Sequence, residues 1–126
     1  KLNLDINNKN NNEVIKEFLD LMHIYKLDYT NTFINLENNN LDKNIFKDWI
    51  KKYNKFKKQK FNNVNPTVIP RNHIIEKIIN ETYNENYNLL YEFEKILKNP
   101  YEKNINKKFI NPPTDDEKIY QTFCGT

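Results

Sequence analysis

The chain has one cysteine and one glycine among its 126 residues. They are neighbours in the C-terminal run Tyr120-Gln121-Thr122-Phe123-Cys124-Gly125-Thr126. A thiol near a chain end is accessible, and access together with thiolate character governs exchange chemistry, so Cys124 is a candidate redox group. Phe123 could anchor the run on a partner, and Gly125 would let another backbone approach closely. The plain alternative is an inert thiol on a frayed end. A single cysteine excludes an internal disulfide framework, and no Cys/His cluster has zinc-ligand spacing.

The second constellation is Pro70-Arg71-Asn72-His73. Proline rigidifies the entry to a helix, Asn72 can serve as its N-cap, and Arg71 offers a planar fork of donors beside the helix N-terminus. Such an arrangement can hold a phosphate or carboxylate. The competing structural role is an ion pair between Arg71 and an acid, the commoner fate of such an arginine and the favoured one here. His73 could act as a base, but no neighbouring Ser or Cys with a third group completes a nucleophilic triad. No residue of this chain is therefore assigned a catalytic role, and none a metal.

Other chemistry-bearing residues carry less. Eight lysines lie between Lys43 and Lys60, interleaved with Trp49, Tyr53 and Phe56. Phosphate gripping with base stacking is one reading. The aromatics share one helical stripe, however, and are better explained as core, with the lysines as a solvated face. His23 is given no role. Asp115-Asp116-Glu117 reads as a solvated acidic run. With no second glycine, a phosphate-cradling loop cannot be built from this segment.

Composition limits these readings. The basic residues number 20, all lysine but for Arg71, against 17 acidic ones, a net charge of +3. That charge does not by itself argue for nucleic acid or an anionic membrane surface. Alanine is absent and asparagine comes in runs, as an AT-rich genome would encode, so lysine is the default polar residue. Aromatics make up 13%, more than disordered chains carry. No apolar run approaches transmembrane length. The chain begins at Lys1 without an initiator methionine, which raises the expectation of a longer polypeptide.

The elements that must position these residues are helices. Residues 1–12 read as an Asn-rich linker, 13–111 as a helical region and 112–126 as an extended tail. Apolar spacing predicts a first helix over 13–27 with Asn11 or Asn12 as cap. A second covers 28–36, capped by Asp28 and stopped by the asparagines at 38–40. A third, capped by Asp42, runs to about Lys60 on the stripe Phe46, Trp49, Ile50, Tyr53 and Phe56. A fourth spans 73–83 with Ile74, Ile75, Ile78 and Ile79 inward. A fifth spans 86–98 with Tyr87, Leu90, Phe93, Ile96 and Leu97 inward, stopped by Pro100. The fold class is all-α. Asparagine and isoleucine are indifferent helix formers, so the isolated segment is expected to be marginally stable.

Several stretches, taken in order, resemble the C-terminal part of the selenoprotein O family, also called the YdiU family. They are Leu27-Asp28-Tyr29-Thr30-Asn31-Thr32-Phe33, Asn65-Pro66-Thr67-Val68-Ile69-Pro70-Arg71-Asn72-His73, Asn99-Pro100-Tyr101, Pro112-Pro113 and the run ending at Thr126. The resemblance implies the C-terminal part of a protein-kinase-like fold in a full-length protein that transfers AMP from ATP, with Mg or Mn, to Ser, Thr or Tyr hydroxyls of proteins. The family's glycine-rich loop and its nucleotide and metal residues lie upstream, so this segment by itself is expected to be inactive and to bind neither ATP nor metal.

Cys124 matches the family's redox position, third from the end. The resemblance implies its disulfide with a cysteine outside this sequence and redox-dependent activity. Implied partners are the upstream kinase-like catalytic domain, against which Arg71 and Asn72 would brace, and protein substrates. Neither nucleic acid nor membrane is expected. The compartment would be the cytoplasm in a bacterial member and the mitochondrion in a eukaryotic one. A different reading of the residues is a free-standing helical interaction module without activity.

Overall fold

The structure, a computed structural model, describes residues 1–4, 11–58 and 63–119. Among these are five α-helices, α1 (Asn11–Ile24), α2 (Tyr29–Glu37), α3 (Lys43–Tyr53), α4 (Asn72–Tyr83) and α5 (Asn88–Leu97). Two 3₁₀ turns follow, at Lys107–Phe109 and Asp115–Glu117. Extended pairing among the described residues is limited to one antiparallel bridge, between Leu4 and Lys57. The chain divides into two compact units, Lys1–Pro66 and Thr67–Thr126.

The first unit is built on aromatic residues. Phe18 of α1 lies 4.6 Å from Trp49 and 5.2 Å from Phe33, ring centroid to centroid. Trp49 stacks on Tyr53 at 4.7 Å. The indole N–H of Trp49 donates to the Val14 carbonyl at 2.9 Å, tying α3 to α1 where both are buried. Tyr53 donates its hydroxyl to the Leu2 carbonyl at 2.8 Å, and burial pushes its pKa to about 12. Residues 1–4, expected in a linker, thus belong to the fold: Leu2 and Leu4 pack on the core and Lys58 N–H donates to the Asn3 carbonyl. Burial of two leucines outweighs the polarity of their neighbours.

Several boundaries follow the sequence. Asp28 caps α2 by accepting from Asn31 N–H at 2.8 Å, and Asp42 caps α3 by accepting from Asn44 N–H at 2.8 Å. Others move. Asn11 and Asn12 lie inside α1 rather than capping it. α3 stops at Tyr53, short of Lys60. Phe56 still packs on the core from beyond the helix end, so its place on the helical stripe reflected burial rather than helix.

Glycine is missing where helices usually use it. After α1, α2 and α4 the chain turns through left-handed residues Lys26 (φ 50°), Asn39 (φ 55°) and Glu85 (φ 59°). Each is followed by an N–H bonded five residues back: Leu27 to Met22 at 2.9 Å, Asn40 to Asn35 at 2.7 Å, Asn86 to Glu81 at 3.0 Å. These are glycine-type helix stops made without glycine. A side chain bearing Cβ costs about 1–2 kcal/mol in that conformation, less for asparagine. Lys26→Gly is therefore expected to stabilise the first unit by about 1 kcal/mol after the entropy of the freer unfolded chain is subtracted. Denaturant midpoints of the two proteins check this, and a lower midpoint for the glycine variant contradicts it.

The second unit has a smaller core of Val68, Ile74, Ile78, Phe93 and Phe109. α4 packs on α5, and Phe93 stacks on Phe109 at 5.4 Å. Thr67 N–H donates to the Pro100 carbonyl at 2.7 Å, closing the segment before α4 onto the end of α5. Tyr87 and Leu90, expected inward, are exposed. Only Phe93 of α5 is fully buried, with Leu89, Ile96 and Leu97 beside it.

Candidate functional site

The start of α4 gathers three of the residues singled out from the sequence. Arg71, not Asn72, is the N-cap: its backbone is extended (φ −90°, ψ 139°) and its carbonyl accepts from Ile74 and Ile75 N–H, both at 3.0 Å. Its side chain makes no capping bond. Asn72 is the first helical residue and is exposed. Burial of Ile74 and Ile78 against Phe93 and Phe109 sets the register of the helix, and that outweighs asparagine's preference for the cap.

Arg71, Asn72 and His73 line an open pocket of about 450 Å³ together with Pro70, Pro113, Glu117, Lys118 and Ile119. The last four come from the stretch expected to be an extended tail. Here it forms a 3₁₀ turn at Asp115–Glu117. Thr114 makes the turn by donating its N–H (3.0 Å) and its hydroxyl (3.2 Å) to Glu117 Oε2. A Thr followed three residues later by Glu was the available signal. It was missed because Asp115-Asp116-Glu117 read as a plain charge run.

The electrostatics are mixed rather than anion-seeking. The Thr114 N–H and hydroxyl hold the Glu117 carboxyl below its ordinary value, helped by nearby His73 and Lys77. Burial lowers the His73 pKa; Glu117 opposes that and Arg71 adds to it. Lys118 pairs with Asp115 and holds its carboxyl low. A carboxylate on the pocket wall counters what Arg71 and the helix N-terminus offer an anion. Among the described residues, no three His, Cys, Asp or Glu side chains stand together as metal ligands.

The shift of His73 fixes a pH dependence. Its folded value lies below the ordinary 6.5, so the unfolded chain binds the proton more readily. The stability it contributes is complete above 6.5 and is lost as pH falls from there through the folded value. Glu117, also lowered, loses its contribution in the same direction at lower pH. Acidification is thus expected to loosen the start of α4. An NMR titration placing the His73 midpoint above the ordinary 6.5 would contradict this.

The remaining candidates separate. Trp49 and Tyr53 are buried in the first unit, so neither ring is open for a base to stack on. Lys52 pairs with Glu17 and Lys51 with Asp48, both at 2.9 Å. His23 is exposed in the last turn of α1. Cys124, with the rest of residues 120–126, lies outside the described residues. No described helix is long and apolar enough to cross a membrane.

Comparison with known proteins supplies what this geometry does not. No protein-family model matches the chain. No solved structure matches it either. A protein nucleotidyltransferase YdiU of Bacillus cereus is 34% identical over 146 positions, covering 100% of this chain and 30% of the relative. A second, from Pseudoalteromonas translucida, is 40% identical over 126 positions, covering 90% of this chain and 26% of the relative. A third, from Lachnoclostridium phytofermentans, is 35% identical across 100% of this chain. The matched share is the C-terminal one.

The chain belongs with the C-terminal portion of the YdiU family. It spans less than a third of the length of these YdiU relatives. Its two helical units therefore correspond to the end of a YdiU polypeptide.

Proposed function

We propose that this chain is the C-terminal part of a kinase-like protein adenylyltransferase, one that moves AMP from ATP to Ser, Thr or Tyr hydroxyls of proteins. The observation that carries the reading is similarity along the whole chain to proteins named nucleotidyltransferase, of which it spans only the C-terminal part. On this reading the segment braces the upstream kinase-like catalytic domain and brings a regulatory thiol, Cys124. The described residues do not fit ATP or Mg²⁺: no metal-ligand cluster stands among them, and the chain's one glycine is Gly125. On this reading catalysis belongs to residues outside this segment.

The test uses the full-length polypeptide, ATP labelled at the α-phosphate, and protein acceptors. Label is expected on protein hydroxyls, with none transferred from γ-labelled ATP and none by residues 1–126 alone. Transfer of the γ-phosphate instead would replace the reading with a kinase. In the same assay Cys124→Ser is expected to remove any response of AMP transfer to reductant; an unchanged response refutes the redox role. One observation favours a second reading, a free-standing helical interaction module without activity. Each unit has its own buried apolar cluster. Absence of any nucleotide transfer by the full-length protein would select it.

A further inference from the structure

In α4 the buried residues are Ile74 and Ile78, and in α5 Phe93. Both helices carry a second apolar stripe. At about 100° per residue, Ile79 and Tyr83 lie roughly 120–160° around α4 from its buried side. Tyr87 and Tyr91 lie roughly 120–160° around α5 from Phe93 by the same count. The two tyrosines of α5 are paired, with ring centroids 6.3 Å apart. The two stripes flank the tight turn at residues 84–86, and they are open to solvent: Tyr83 is 84% exposed, Tyr91 62%, Tyr87 44% and Ile79 41%. Single exposed hydrophobics need no explanation, but a cluster at the joined ends of two helices does. Tyrosine is also the residue type enriched where proteins meet.

The charge around this face is unlike the rest of the chain. Residues 78–94 hold Glu81, Glu85, Glu92 and Glu94 with no Lys or Arg, in a chain where basic residues outnumber acidic ones 20 to 17. Glu92 is answered by Lys108 at 2.6 Å and Glu94 by Lys98 at 2.8 Å. Neither Glu81 nor Glu85, which flank Tyr83, is in an ion pair among the described residues. A partner that buries the tyrosines would meet these two carboxylates with cations.

We propose that the outer face of the α4–α5 hairpin, formed by Ile79, Tyr83, Tyr87 and Tyr91, docks onto an apolar surface bearing Lys or Arg. That surface belongs to the part of the YdiU polypeptide that precedes the matched segment. The proposal rests on the reading of this chain as a C-terminal segment. The YdiU relatives are more than three times as long as the portion matched, so most of such a polypeptide lies outside these residues.

The test uses the full-length polypeptide with Tyr83, and separately Tyr91, replaced by photo-reactive benzoylphenylalanine. Irradiation is expected to give an intramolecular cross-link to a segment upstream of Lys1, mapped by mass spectrometry. Cross-links to a second copy, to another protein or only within residues 1–126 overturn the proposal, as does their absence at both positions. Nitration of Tyr83 gives an independent readout in the unsubstituted protein. Docking is expected to slow it at least about tenfold relative to the urea-unfolded chain, equivalent to ~1.4 kcal/mol of protection. A native rate close to the unfolded one overturns docking. AMP transfer, assayed in parallel on the unsubstituted protein, separates the two ideas: transfer with an exposed Tyr83 ends the docking proposal alone. Upstream cross-links without transfer end the adenylyltransferase reading alone.

Discussion

Trp49→Ala is expected to unfold the first unit while leaving the second intact. The side chain is 1% exposed, stacks on Tyr53 and tilts against Phe18, so its removal opens a void between α1 and α3. Truncating a buried aromatic of this size costs about 3–5 kcal/mol, a large part of what a small domain has in total. The indole bond to the Val14 carbonyl is lost as well, which contributes about 1 kcal/mol. Hydrogen exchange is the suitable probe, because Trp49 is the chain's only tryptophan and its fluorescence goes with it. Protection should vanish across α1–α3 and persist in α4 and α5. Trp49→Phe keeps most of the contact and should cost far less. Retention of α1–α3 protection in the alanine variant would show that the aromatic cluster is not what holds the first unit.

Phe109→Ala should do the reverse. Phe109 sits in the 3₁₀ turn Lys107–Phe109, fully buried, and stacks on Phe93. Lys108 lies with its ammonium 4.6 Å from the ring centre and also pairs with Glu92 of α5, so the same turn is fastened to the helix twice. The loss is again about 3–5 kcal/mol, but from a core of five buried residues rather than nine. A core that small has little reserve. Protection in α4 and α5 should fall to that of an unfolded chain, with α1–α3 unaffected. Phe109→Leu, which refills most of the volume, should restore it. If both units melt together in either alanine variant, the division at Pro66 is not an energetic one.

Much of this was legible in the residues. Asp28 and Asp42 declare helix starts because a short carboxylate is the natural acceptor for orphan N–H groups. The stripe Phe46, Trp49 and Tyr53 declares one buried face. The asparagines after Leu36 declare a stop, since asparagine tolerates the left-handed conformation that Asn39 adopts. The helical fold class and the placement of the lysines on a solvated face follow from these local rules. The candidate pocket was half legible: Arg71, Asn72 and His73 stand at the start of α4, but their neighbours Pro113, Glu117, Lys118 and Ile119 are forty or more residues away in sequence.

By itself the sequence determined the helices, their polar faces and, through stretches such as Asn65-Pro66-Thr67 and Pro70-Arg71-Asn72-His73, the family. These are consequences of periodicity and of residue type at fixed spacing, which need no knowledge of where distant parts of the chain go. The tertiary structure alone decided that there are two cores and that residues 1–4 join the first. It also decided that Arg71 rather than Asn72 caps α4, and that five apolar side chains of the α4–α5 hairpin are left facing water. Burial decides each of these, and burial is a property of elements brought together, which a periodic pattern cannot state. The pattern shows that Tyr87 and Leu90 are apolar; only packing shows that no described residue covers them.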